Sequence, residues 1–426
     1  MPVLRNISQL AICPVEGPQS DAGLLNNAAL VWQGDEITWV GANSELPDQF
    51  HSEPATDCAG RLVIPGLVDC HTHLCFAGWR GDEFDRRLRG ASYQAIAQSG
   101  GGIMSTVCAT RSASIGNLVQ KAQEHLDGML RLGITTVECK SGYGLGVDGE
   151  LKQLEVYHQL SEQHCMTLVP TFLGAHVVPK EFQNNREAYI QLLRESLIPL
   201  IASRKLAHFC DIFVEDGAFN PAEARQVLNT AKQYGLGIKI HADQLSNGGG
   251  AMLAAELQAV SAEHLEYVSA EGIHALAQAG VVAVSLPLAS LYLRERYLPA
   301  RQMMDSGVRV AVATDFNPGS APSYHLPLAM TLACLNQGMY PAEALTGATI
   351  IAARAVNMHQ MAGSLRPGYK ADIAVMDAPN LNHWLYHFKD NSCIGVVKNG
   401  QWAHRQSSLD TGGGCSGPTV DFAENQ

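Results

Sequence analysis

Short apolar runs alternate with longer amphipathic stretches through most of the chain. Segments 62–68, 134–138, 167–171, 209–214, 237–241, 260–264, 281–286 and 309–315 are largely apolar, and several end in polar residues. Between them, 115–132, 151–164, 186–203 and 221–234 carry the three-to-four-residue spacing of helices with one buried face. The last of these opens on Pro221, whose missing N–H costs little in a first turn. Apolar strands separated by helices predict a parallel sheet covered on both sides. Eight such units between residues 62 and 355 fit an α/β fold closed as a (β/α)8 TIM-like barrel better than an open sheet.

The two chain ends follow another pattern. Residues 28–40 alternate apolar and polar and turn at Gly34-Asp35. Segments 371–379 and 394–402 repeat this, with a turn at Asn399-Gly400. Neither end has enough strands to be stable alone. They are therefore expected to join as a small β-sandwich domain of residues 1–62 and 360–405, beside a barrel of residues 63–359. Residues 406–426 hold three consecutive glycines and no periodicity, which predicts a loose tail.

Composition narrows the class of function. With 46% apolar residues among 426, the chain can bury a sizeable core, which argues against disorder. A net charge of −12 without a long Lys/Arg run argues against nucleic acid or an anionic membrane as partner. No apolar run approaches the roughly 20 residues of a membrane span. The 11 cysteines are scattered, with no Cys-x-x-Cys pair, and read as reduced thiols of a cytoplasmic protein.

Chemistry gathers at the strand ends. In Ile64-Pro-Gly-Leu-Val-Asp69-Cys-His71-Thr-His73, the two histidines share a face if the segment is extended, and paired imidazoles chelate a divalent ion. Alone, that spacing suits a solvated barrel rim equally well. Strand five, however, ends in His241, strand six in His264 and strand eight in Asp315. Barrels of this kind carry their sites at the C-terminal ends of the strands, so all five residues are predicted to converge on a metal.

Pro65-Gly66, Asp69, His71, His73, His241, His264 and Asp315, with Ala371-Asp-Ile-Ala-Val375 near the C-terminus, resemble the amidohydrolase superfamily of metal-dependent hydrolases. The resemblance implies one metal ion, zinc or iron, on His71, His73, His241 and Asp315, with His264 beside the attacking water. Either His264 or Asp315 would accept its proton. Residues 209–215 contain no lysine, where two-metal members keep a bridging carboxylated one, so a single metal is expected. Deaminating members resemble His-x-x-Glu after strand five, but this chain has His241-Ala-Asp-Gln244. Glutamine donates and accepts hydrogen bonds but does not carry a proton near neutral pH. Gln244 therefore favours opening of a cyclic amide, with the glutamine orienting it, over deamination.

Four further stretches resemble superfamily members that open such a ring: 138–144, 171–176, 241–250 and 314–320. The resemblance implies a small substrate with a propanoate arm, met by Arg80 and Tyr143. It implies His176 as a donor to the ring carbonyl, and Asn317, Gly319 and Ser320 as contacts in the loop after Asp315. A guanidinium suits a carboxylate because its paired donors match both oxygens. The lesser alternative for Arg80 is a surface ion pair with Asp82 or Glu83, and the 317–320 segment is equally explained by ordinary turn chemistry. The rival functions are a mononuclear deaminase of another heterocycle and a metal-free scaffold barrel. A homodimer is expected, formed through exposed apolar helix faces.

Overall fold

The computed structural model describes residues 1–91 and 101–409; the tail expected at 406–426 lies outside them from residue 410 onward. Strands are numbered in chain order. The first four are β1 (Val3–Ala11), β2 (Leu24–Gln33), β3 (Glu36–Ala42) and β4 (Ala55–Pro65). Eight more follow: β5 (Leu67–Asp69), β6 (Ile134–Lys140), β7 (Thr167–Ala175), β8 (Phe209–Val214), β9 (Gly237–Ala242), β10 (Ser261–His264), β11 (Val282–Ser285) and β12 (Val310–Val312). The last three are β13 (Ile373–Met376), β14 (Cys393–Lys398) and β15 (Gln401–Arg405).

Strands β5 to β12 form one parallel sheet in sequential order. The barrel closes just beyond the ends of β5 and β12. There Asp315 N donates to His71 O (3.0 Å) and His73 N to Phe316 O (2.8 Å). The seam of the barrel is thus made by the backbone of the candidate ligands. Strands such as β6 and β10 are buried at every position, as a sheet covered by helices requires.

The other strands form a seven-stranded mixed sheet in the order β15-β14-β13-β4-β1-β2-β3, so β4 from one end of the chain lies against β13 from the other. Lys398 ties this sheet to the barrel, donating to Asp372 (2.6 Å) and to Thr167 of β7 (2.9 Å). The ten described cysteines are free thiols. Among the described residues no helix is long and apolar enough to cross a membrane.

Two elements differ from expectation. The run 62–68 is not one strand: residues up to Pro65 belong to β4, and β5 begins at Leu67. The chain changes sheets at Gly66, where any Cβ would overlap the side chain of Thr135. His71 and His73 consequently follow the strand instead of ending it. The helix expected at 186–203 is interrupted by a π turn at Leu193–Leu197 between Arg186–Leu192 and Ile198–Ser203. Pro199 has no N–H and its ring crowds the carbonyl four residues earlier, and a wider turn accommodates both. The helix Pro221–Gln233 matches its expected start. Asn220 Oδ1 accepts from Glu223 N (3.0 Å), and the Glu223 carboxylate accepts in turn from Asn220 N (2.9 Å).

Candidate metal centre and active site

Five of the predicted residues come together at the C-terminal end of the barrel. His71, His73, His241, His264 and Asp315 are each 3% exposed or less. Ring centroids are 5.4 Å apart for His71 and His73, 4.6 Å for His71 and His241, and 5.4 Å for His241 and His264. Nε2 of His71 and Nε2 of His73 each lie 3.4 Å from Asp315 Oδ1. His264 and Asp315 hold left-handed backbone angles (φ 74° and 55°), a strain that non-glycine residues sustain mainly where the surroundings enforce it. Asp69 helps to enforce it, its carboxylate accepting from Thr314 N (3.1 Å) and Thr314 Oγ1 (2.6 Å).

The donor set suits a cation. Nε2 of His71 and His241, and Nδ1 of His73 and His264, are buried without a hydrogen-bond partner. Buried polar atoms in native proteins are nearly always paired, so unpaired imidazole nitrogens around one carboxylate fit a metal ion. Among the described residues, His71–His73–Asp315 and His71–His241–His264 are two groups whose ligand atoms lie close enough to share an ion. Burial, with neighbouring His71 and Lys140, holds His241 well below the ordinary imidazole value, hence in the neutral form that a ligand needs.

Beneath this layer lies a set of charges that the sequence motifs do not reveal. Lys140 Nζ contacts Asp211 (2.7 Å), Glu138 (3.0 Å) and Glu263 (3.3 Å), and Lys239 Nζ contacts Glu263 (3.0 Å) and Glu138 (3.2 Å). All five are fully buried. Asp211 reaches to 2.9 Å of His241 Nδ1, and Glu263 to 3.4 Å of His71 Nδ1. The signal was present as period-two spacing, since Asp69–His71, Glu138–Lys140 and Lys239–His241 put charged groups on one face of otherwise apolar strands. Strand four, β8, carries no lysine, and the ammonium groups come from β6 and β9 instead.

The remaining candidates surround the cluster. His176 stacks on His73 at 5.2 Å, and Tyr143 lies 6.0 Å from His73 and 5.7 Å from His176. His176 Nδ1 is 3.1 Å from Gly142 O, and burial pushes its imidazole down to about 3. Arg80 is largely buried, with Nε 3.7 Å from Glu83, and its guanidinium lies so close to Gly319 that a Cβ there would overlap it. Gln244 is half-buried in the bend after β9. That bend is pinned by Glu215, which accepts from Leu245 N (2.8 Å) and Ser246 N (3.2 Å).

Asn317 uses its side chain within its own loop. It accepts from Gly319 N and Ser320 N (both 2.7 Å) and donates to Asp315 O (2.6 Å) and Ser320 Oγ (2.8 Å). Ser320 Oγ in turn lies 3.4 Å from Asp315 Oδ2.

The model of the Amidohydrolase family matches residues 62–403. The chain belongs to the amidohydrolase family. Within that family it is 48% identical to an imidazolonepropionase of Symbiobacterium thermophilum, over 89% of this chain and 91% of the relative. A second imidazolonepropionase, from a Geobacillus species, is 44% identical over 93% of this chain and 96% of its own. Among solved structures, the amidohydrolase chain resembles an adenosine deaminase from Xanthomonas campestris with bound zinc (TM-score 0.70, 18% identity, 95% of this chain and 93% of that one). It also resembles a 5-methylcytosine deaminase from Klebsiella pneumoniae (TM-score 0.72, 16% identity, 95% and 97%). At those identities the likeness is one of fold.

Proposed function

We propose that the chain adds water to 4-imidazolone-5-propanoate and breaks the cyclic amide C–N bond, giving N-formimidoyl-L-glutamate in histidine degradation. The observation that carries this reading is the likeness to imidazolonepropionases across about nine-tenths of both chains, at 48% identity. The buried imidazole–Asp315 cluster supplies the chemistry that this reaction needs.

His71, His73, His241 and Asp315 would hold one ion, zinc or iron, both of which accept imidazole and carboxylate ligands. A cation there acts as a Lewis acid, acidifying water and polarising a carbonyl. The other steps belong to the side chains. Either His264 or Asp315 would take the proton of the attacking water and deliver it to the departing ring nitrogen. Arg80 pairs with the propanoate, and the Tyr143 hydroxyl adds a hydrogen bond.

His176 takes a different part from the one its sequence suggested. A carbonyl only accepts, so His176 Nδ1 donates to Gly142 O and a neutral ring then presents Nε2 as an acceptor. It would receive a bond from a ring N–H instead of giving one to the ring carbonyl. Gln244 orients the amide. Gly319 and Ser320 border the substrate, and Asn317 serves by shaping their loop. We place the enzyme in the cytoplasm as a homodimer.

Product analysis tests the reading. Zinc- or iron-loaded protein mixed with freshly generated 4-imidazolone-5-propanoate should yield N-formimidoyl-L-glutamate without ammonia. Release of ammonia from a heterocycle, with no ring-opened product, would favour the deaminase.

A further inference from the structure

We propose that Glu150 and Gln153, neither of them a substrate contact, are the positioning residues that set Tyr143 and His176 against the substrate. The inference rests on the substrate reading given above. Both residues stand on the helix Val147–Gln163, three positions apart and therefore on one face, and both are fully buried. Glu150 Oε1 accepts from Gly144 N (2.9 Å) and Leu145 N (2.7 Å), and its Oε2 from Gly142 N (3.1 Å). Gln153 Oε1 accepts from Tyr143 N (2.9 Å). Four successive backbone amides of the loop after β6 are thus bound by two side chains of a single helix.

This is the concave arrangement of N–H groups that elsewhere captures an anion, here filled from within by a carboxylate. Left-handed angles at Gly142 (φ 107°) and Leu145 (φ 49°) turn the amides inward. Gly144 lies so close to the helix backbone at Gly149 and Glu150 that a Cβ would overlap it. Burial pushes the Glu150 carboxyl up from its ordinary value, and the Ser141 hydroxyl and the loop amides offset part of that.

The consequences reach three candidate substrate groups. The loop carries Tyr143. Its Gly142 carbonyl receives His176 Nδ1 and so fixes the orientation of that ring. Gln153 Nε2 also donates to Cys75 O (2.7 Å), at the start of the segment that leads to Arg80. One helix face therefore sets the spacing between the groups for the ring and those for the propanoate arm. Misplacement of such groups by about 1 Å can cost on the order of a hundredfold.

The test compares Glu150→Gln and Gln153→Leu with the parent, all zinc-loaded and full length. Glu150→Gln turns an amide nitrogen toward backbone N–H groups. It should raise KM for 4-imidazolone-5-propanoate by roughly ten- to a hundredfold with kcat changed far less, since binding contacts are loosened more than chemistry. Gln153→Leu removes one loop bond and should raise KM by about three- to tenfold. Zinc content should stay at the parent value in both. The dissociation constant of imidazole-4-propanoate, which has the ring and arm but no carbonyl to attack, should rise in step with KM. In a Tyr143→Phe background Glu150→Gln should cost less, because the two act through one contact.

Variants with a lowered Tm but parental KM, kcat and ligand affinity would overturn the inference, leaving the two residues as stabilisers only. If Glu150→Gln does not fold, an unchanged KM in Gln153→Leu overturns it equally. A parent that does not open the ring contradicts the proposed function instead, and binding of imidazole-4-propanoate to the same proteins still decides the positioning role.

Discussion

At the scale of single residues, Asp315 is the point on which the site turns. One carboxylate oxygen faces Nε2 of both His71 and His73, while the Asp315 backbone N–H closes the barrel on His71. Asp315→Ala and His71→Ala should each abolish both metal retention and turnover, read by elemental analysis and assay of the same sample. Arg80 is the second telling residue. A charge-assisted hydrogen bond contributes roughly 1.5–3 kcal/mol, so Arg80→Met should raise KM about ten- to a hundredfold with kcat little changed. Gly319→Ala should give the same kinetic signature through a different cause, since its Cβ would displace the Arg80 guanidinium. Parental KM in Gly319→Ala would separate Arg80 from the propanoate. The candidate histidines were legible because they stand at or just past strand ends that face one site. The tautomer of His176 was not, because Gly142 O, its partner, comes from another strand's loop.

At the scale of elements, the barrel strands combine apolar outer faces with an interior that is charged. Removing one member of a buried ion network leaves the others unpaired and typically costs about 3–5 kcal/mol. Lys140→Met should therefore lower the unfolding free energy by about that amount in metal-free protein, measured by denaturant melts. A loss under about 1 kcal/mol would mean that Lys239, the other ammonium on Glu138 and Glu263, compensates for the missing charge. Strand and helix identities were largely readable from periodicity. The change of sheet at Gly66 was not, since 62–68 is apolar on both sides of it and only Thr135, on the neighbouring strand β6, reveals the close approach. The π turn at Leu193–Leu197 had one signal in the sequence, Pro199, which stands inside the expected 186–203 helix where its ring and missing N–H disturb the preceding turn.

At the scale of the whole molecule, the two chain ends are held together turn against turn. The hairpin at Gly34 packs on the one at Gly400, where a Cβ would overlap the Gly34 carbonyl, and Trp32 Nε1 donates to Gly400 O (2.9 Å). Gly400 also needs its left-handed angle (φ 75°), which costs other residues roughly 1–2 kcal/mol. Gly400→Ala should lower Tm while leaving KM and metal content at parental values. Both hairpins were legible as turn signals, but their contact joins residues more than 360 positions apart and is a property of the folded sheet alone. The site and the composite sheet thus answer to different measurements. The most direct test is a spectrophotometric assay with freshly generated 4-imidazolone-5-propanoate on protein of assayed metal content, stripped and then reloaded stepwise. Ring opening should rise in proportion to bound metal and saturate at one ion per chain. Turnover in the stripped protein, or none at full occupancy, would contradict a metal-dependent ring opening.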